Sequence, residues 1–176
     1  MAILVFRDLR LEGKYVSDLA FQPVDEAVTL KWMVNRIQRE KGKVQLQIWS
    51  HGLPGYVMCG KGSVAHPTAG PGLTIHDLSE FAKLAGKVSS IEIHSCLVAR
   101  IGTSPECNGH VGYDGNWFCS RLAQVTKATV AASWDIQFGS GNQDCGWAGA
   151  VLTYGSKGNV LKRENYPMSG TACVDY

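Results

Sequence analysis

Apolar and polar residues alternate along Val44-Gln45-Leu46-Gln47-Ile48-Trp49 and again along Val88-Ser89-Ser90-Ile91-Glu92-Ile93. That period belongs to β-strands. Two further runs, 2–6 and 129–133, read as strands by composition. Between them the period changes to that of helices. Residues 25–40 place Val24, Ala27, Val28, Met33, Val34 and Ile37 near one face, and Gly42 follows a Lys/Arg-rich end as a stop signal. A second helix is predicted over about 75–85, with Thr74 and Asp77 at capping-box spacing and Gly86 behind it. A third covers 116–126 and buries Phe118, Leu122 and Val125. Residues 148–154 and 159–163 form a closing β-hairpin turned at Gly155-Ser156-Lys157-Gly158. The Gly- and Pro-rich stretch 52–72 has room for at most a short hairpin around 56–59.

Strand–helix–strand alternation predicts an α/β fold: a mostly parallel central sheet with helices on both faces and a C-terminal β-hairpin. No repeat or linker divides the chain, so residues 1–176 are expected to form a single domain. Apolar residues make up 45% and the net charge is +2, with no dense basic stripe of the kind a nucleic-acid binder carries. No apolar run is long enough to span a membrane. The start, Met1-Ala2-Ile3-Leu4-Val5-Phe6-Arg7-Asp8, reads as a strand rather than a secretory leader. The expected location is cytoplasmic, or exported by a route without a classical signal peptide. Of the six cysteines, Cys119 falls on a helical face as a small buried hydrophobe. Cys107, Cys145 and Cys173 lie in loops where one disulfide is an option.

The chemistry gathers at two strand ends. His51 closes the run 44–51 and Cys96 closes the run 88–96. In an open α/β sheet the reactive crevice lies beyond the carboxyl ends of the strands. Long loops follow His51, Cys96 and Ser133-Trp134-Asp135, and loops of such length usually serve function. A histidine and a cysteine meeting there form a nucleophilic dyad: imidazole takes the thiol proton and sulfur attacks. Gly52 permits close backbone approach, and the amides of Gly52 and Cys96 are candidate oxyanion donors. His51 precedes Cys96, the reverse of the papain order. Cys59 is the alternative nucleophile, though it sits inside the short hairpin rather than ahead of a helix.

Trp49-Ser50-His51-Gly52 followed by Ile93-His94-Ser95-Cys96 resembles the paired His-Gly and Cys strand ends of clan CD cysteine peptidases, the caspase-like enzymes. The resemblance is nearest to bacterial toxin and surface-protein members and extends through Gly115-Asn116-Trp117-Phe118, Leu122-Ala123 and Thr129-Val130-Ala131-Ala132-Ser133. It covers roughly residues 44–154, and only the His-Gly and Cys positions are specific. It implies a caspase-like three-layer α/β sandwich and cleavage of peptide bonds through a thioester on Cys96, with His51 as base. It implies no cofactor and no mandatory third catalytic residue, and self-processing is part of the expectation. The chain departs from caspases, which carry Gln-Ala-Cys, and from metacaspases, which usually carry Asp where His94 stands here.

His94 shares a strand face with Cys96, either tuning the thiol or packing as a hydrogen-bonded neighbour. In the resemblance, Ser133, Trp134 and Asp135 line the pocket for the side chain before the scissile bond. A carboxylate there favours Lys or Arg, unless Asp135 merely caps a turn. Asp144 is a weaker candidate for the same task. Lys157, Lys162 and Arg163 on the closing hairpin read as a solvated face. Two rival classes remain: a catalytically inactive caspase-like binding domain, and a zinc module on His94, Cys96, Cys107 and His110. The expected partner is a protein or peptide substrate, with no nucleic acid and no membrane span; oligomeric state is open.

Overall fold

A computed structural model describes residues 1–11, 20–66, 70–101, 114–137 and 147–167. Its centre is a seven-stranded, mostly parallel sheet. The strands are β1 (Ala2–Asp8), β2 (Phe21–Val24), β3 (Val44–Trp49), β8 (Val88–His94), β9 (Thr129–Ser133), β10 (Gly149–Tyr154) and β11 (Val160–Tyr166), in the order β11-β10-β9-β8-β3-β1-β2. β2, β1, β3, β8 and β9 run parallel, while β10 pairs antiparallel with both β9 and β11. Two small antiparallel pairs lie outside this sheet: β4 (His51–Leu53) with β5 (Tyr56–Met58), and β6 (Val64–His66) with β7 (Gly70–Gly72). A bridge between Val57 and Leu73 joins the two pairs.

Three helices connect the parallel strands: α1 (Leu30–Gln38), α2 (Leu78–Phe81) and α3 (Gly115–Thr126). The first begins later than its periodicity predicts. Asp25 accepts the amides of Ala27 and Val28 in a local turn, and Thr29 then caps the helix by accepting from Trp32. Val24, expected on that helix, lies instead in the edge strand β2 beside Pro23, where a missing N–H is tolerated. The second is broken into a 3₁₀ turn at Ile75–Asp77, the four-residue α2, and another 3₁₀ turn at Ala82–Leu84. Its predicted capping box between Thr74 and Asp77 is present.

Helices were expected on both faces of the sheet, but among the described residues all three share one face. Leu4 and Phe6, Leu46 and Ile48, Ile91 and Ile93, and Val130 and Ala132 stand in register and point the same way. They form one core with Met33, Ile37, Phe81, Leu84, Phe118 and Leu122 from the helical layer. Each such fully buried side chain contributes about 1.5–3 kcal/mol. The cause is topological. From β2 the chain adds β3, β8 and β9 in a single direction across the sheet, and the right-handed crossovers that carry α1, α2 and α3 then fall on a single side. The opposite face carries Gln47, Trp49, Glu92 and His94. No helix among the described residues is long and apolar enough to cross a membrane.

A buried ion pair fixes the small hairpins to the sheet. The Arg10 guanidinium donates to both oxygens of Asp8 at 2.8 Å, and reaches the carbonyls of Met58 at 2.9 Å and Pro71 at 3.1 Å. The Asp8 side chain is fully buried and also accepts the amide of Gly60.

Candidate active site

The register of β3 and β8 decides where the two strand tips go. Ile48 pairs with Ile93 and Trp49 with His94. Neighbouring strands lie about 5 Å apart, so a matched register carries the ends of β3 and β8 out of the sheet side by side. The continuation beyond the ladder bears this out at Ser50, whose amide donates to the His94 carbonyl at 3.3 Å. The buried hydroxyls of Ser50 and Ser95 are 2.9 Å apart, and Ser50 Oγ also donates to the His51 carbonyl at 2.9 Å. Both serines are buried where the two strands leave the ladder. His51 and Cys96 are both half-buried.

Gly52 packs directly on the cysteine strand. A Cβ at this position would stand 2.7 Å from the Cys96 carbonyl oxygen and 2.9 Å from Ser95 Cβ, a clash with backbone that any larger residue would create. Its cross-strand partner Val57 spends both backbone groups on Leu73, at 3.0 and 2.7 Å. Gly52 and Val57 are therefore a non-hydrogen-bonded pair of this ladder.

After Cys96 the chain turns sharply. Leu97 has φ +59°, a left-handed conformation that costs a side-chain-bearing residue roughly 1–2 kcal/mol. Its amide donates to the Asp135 carbonyl at 3.1 Å, and the amide of Ala99 donates to the Ser133 carbonyl at 2.8 Å. The segment after β9 is thereby held against the turn. The Cys96 sulfur lies against Gln137, accepting its backbone N–H at 3.3 Å and facing its carbonyl at 3.5 Å.

Ser133 and Asp135 hold the turn after Cys96 through their carbonyls, and the polar groups of Ser133, Trp134 and Asp135 are engaged inside the protein. The buried Ser133 hydroxyl donates to the Asp135 carbonyl at 2.6 Å and accepts the Asp135 amide at 3.0 Å. Trp134 packs against the core, and its amide donates to the Ala150 carbonyl. One oxygen of the Asp135 carboxylate accepts the Ala150 amide at 2.8 Å and the other faces Arg100 at 3.5 Å. Gly149 at φ +64° makes room for it; a Cβ there would meet Asp135 at 2.6 Å.

His94 is packed and hydrogen-bonded. Its ring stacks between Trp49 and Trp147, with both centroid separations 4.1 Å, and its Nε2 lies 3.3 Å from the Glu92 carboxylate. The hydrogen bond with His94, helped by its charge and by Gln47, outweighs burial and holds the Glu92 carboxyl below the ordinary carboxylate range.

Cys59 and Cys119 are fully buried free thiols, and desolvation pushes both far above the ordinary thiol range. Neither suits nucleophilic work. Cys107, His110, Asp144, Cys145 and Cys173, and with them half of the zinc set and the whole disulfide option, lie outside the described residues.

Sequence reasoning missed Ser50, Ser95, Leu97, Gln137 and Trp147. The two serines had a signal, since each stands one place before a candidate catalytic residue. Gln137 had none. In comparisons with family models, with curated proteins and with solved structures, nothing matches this chain.

Proposed function

We propose that this chain is a cysteine endopeptidase of the caspase-like type, with His51 and Cys96 as its dyad. The reading is carried by one observation: β3 and β8 are adjacent parallel strands in a register that brings their His-Gly and Cys tips side by side. The antiparallel pairing of β10 with β11 supports the finer, caspase-like reading of the fold.

In this mechanism the His51 imidazole takes the Cys96 proton. The thiolate attacks the carbonyl carbon of a peptide bond, and the carbonyl electrons move onto oxygen. The amides of Gly52 and Cys96 receive that oxyanion; losing one such donor costs about 2.7–4 kcal/mol of barrier in other enzymes. Imidazolium then gives its proton to the leaving amine, and water hydrolyses the thioester. The turn at Leu97, fixed by Asp135 and Ser133, keeps the sulfur at the strand tip.

Preference for Lys or Arg rests on Asp135. A substrate cation gains that carboxylate by displacing Arg100, whose exposed, 3.5 Å pairing is loose. Self-processing would use the same dyad on a segment of the parent chain.

The test is digestion of a positional peptide library by the wild-type protein and by Cys96→Ala. Cleavage by the wild type alone supports the reading. Equal cleavage by both, or none by either under conditions where the protein is folded, defeats it.

A further inference from the structure

Resting on the nucleophilic reading of Cys96, we infer that Gln137 is a positioning residue for the sulfur, its side chain clamping the segment whose backbone amide solvates the thiolate. The Gln137 N–H points at Cys96 Sγ from 3.3 Å. When the thiol gives up its proton to His51, that contact becomes a charge-assisted hydrogen bond, roughly twice as strong as a neutral one. The opposing contact, from the thiol to the Gln137 carbonyl at 3.5 Å, uses a weak S–H donor. Ionisation therefore gains more from the amide than it loses at the carbonyl.

An amide is useful only if it is held still. The Gln137 side chain does this with the bonding pattern of a short strand. Its Oε1 accepts the Ala148 amide at 3.0 Å, and its Nε2 donates to the Ala148 carbonyl at 2.7 Å. The second Nε2 hydrogen goes to Ser133 Oγ at 2.5 Å. One side chain thus ties the end of β9 to the start of β10, and its own backbone is left resting on the sulfur. A glutamate of the same length keeps the acceptor but loses both donors. A proline keeps the carbonyl but removes the N–H.

The experiment reads the rate of Cys96 alkylation by iodoacetamide against pH, by mass spectrometry of the Cys96 peptide, in the intact protein. It needs no substrate, so it is independent of whether the protein cleaves peptides. Wild type is compared with Gln137→Ala, Gln137→Glu and Gln137→Pro, each checked for native circular dichroism. The expected result is an upward shift of the midpoint by about one pH unit, with roughly tenfold slower alkylation at neutral pH. If Gln137→Pro does not fold, the Ala and Glu variants decide. Folded variants with the wild-type midpoint overturn the inference, even if the protein proves to be a peptidase. A shifted midpoint in a protein that cleaves nothing upholds the role of Gln137 while the peptidase reading fails.

Discussion

The hydroxyls of Ser50 and Ser95 meet 2.9 Å apart inside the protein, each one residue before a member of the candidate dyad. Because Ser50 Oγ donates onward to the His51 carbonyl, Ser95 is the donor within the pair. The chain of bonds fixes the exit angle of both strand tips. Ser50→Ala strands both the Ser95 hydroxyl and the His51 carbonyl, and is expected to cost about 1–3 kcal/mol. Adding Ser95→Ala removes the orphaned hydroxyl, so the double variant should lose less than the sum of the two single ones. Urea denaturation midpoints of the three variants measure this.

The Glu92–His94 contact makes stability depend on pH with a definite sign. Glu92 has its carboxyl pKa lowered in the folded state, first through its hydrogen bond with His94. A depressed carboxyl stabilises above its unfolded value, near 4.3, and that contribution is lost as pH falls through the lower folded value. Wild type should therefore exceed Glu92→Gln in stability at neutral pH, with the gap closing in acid. Thermal unfolding of the two proteins across that range checks the slope.

Arg10 and Asp8 pair where the small hairpins meet the sheet, with Asp8 wholly enclosed. Arg10→Ala leaves that carboxylate without its cation and is expected to cost about 3–5 kcal/mol. Chemical denaturation gives the number. Since β4 carries His51, the same variant should lose cleavage more steeply with temperature than the wild type.

Leu97 occupies a left-handed conformation directly after Cys96. Leu97→Gly removes the side-chain penalty but adds unfolded-chain entropy, for a net gain of roughly 0.5–1 kcal/mol. The turn also becomes softer, so activity should fall while the melting temperature rises. A drop in both would mean that the Leu97 side chain itself packs the site.

Much of this architecture was legible because local signals agreed with tertiary demands. The strands at 44–49 and 88–94 follow from their alternation, and Thr74 with Asp77 marks a real cap. The same alternation held a second message. Strands covered by helices on both faces run almost continuously apolar. Gln45, Gln47, Glu92 and His94 break that continuity, on a face that none of the described helices covers. The late start of α1 depended on Thr29 outcompeting a helix-compatible pattern upstream. At the candidate site, residue type and position alone singled out His51, Gly52 and Cys96. Gln137 was not, because its role comes from contacts with Cys96, Ser133 and Ala148 that no periodicity encodes. Asp135 was read as a pocket carboxylate; its carbonyl accepts the Leu97 amide and its carboxylate answers first to Ala150 and Arg100.

An acid-quenched digest of the peptide library, followed by mass analysis of the Cys96 peptide, looks for the acyl group itself. With the wild-type protein the sulfur of Cys96 should carry a peptidyl adduct that hydroxylamine removes, and His51→Ala should carry none on the same timescale. An adduct on another residue, or continued cleavage with Cys96 never acylated, would contradict the dyad.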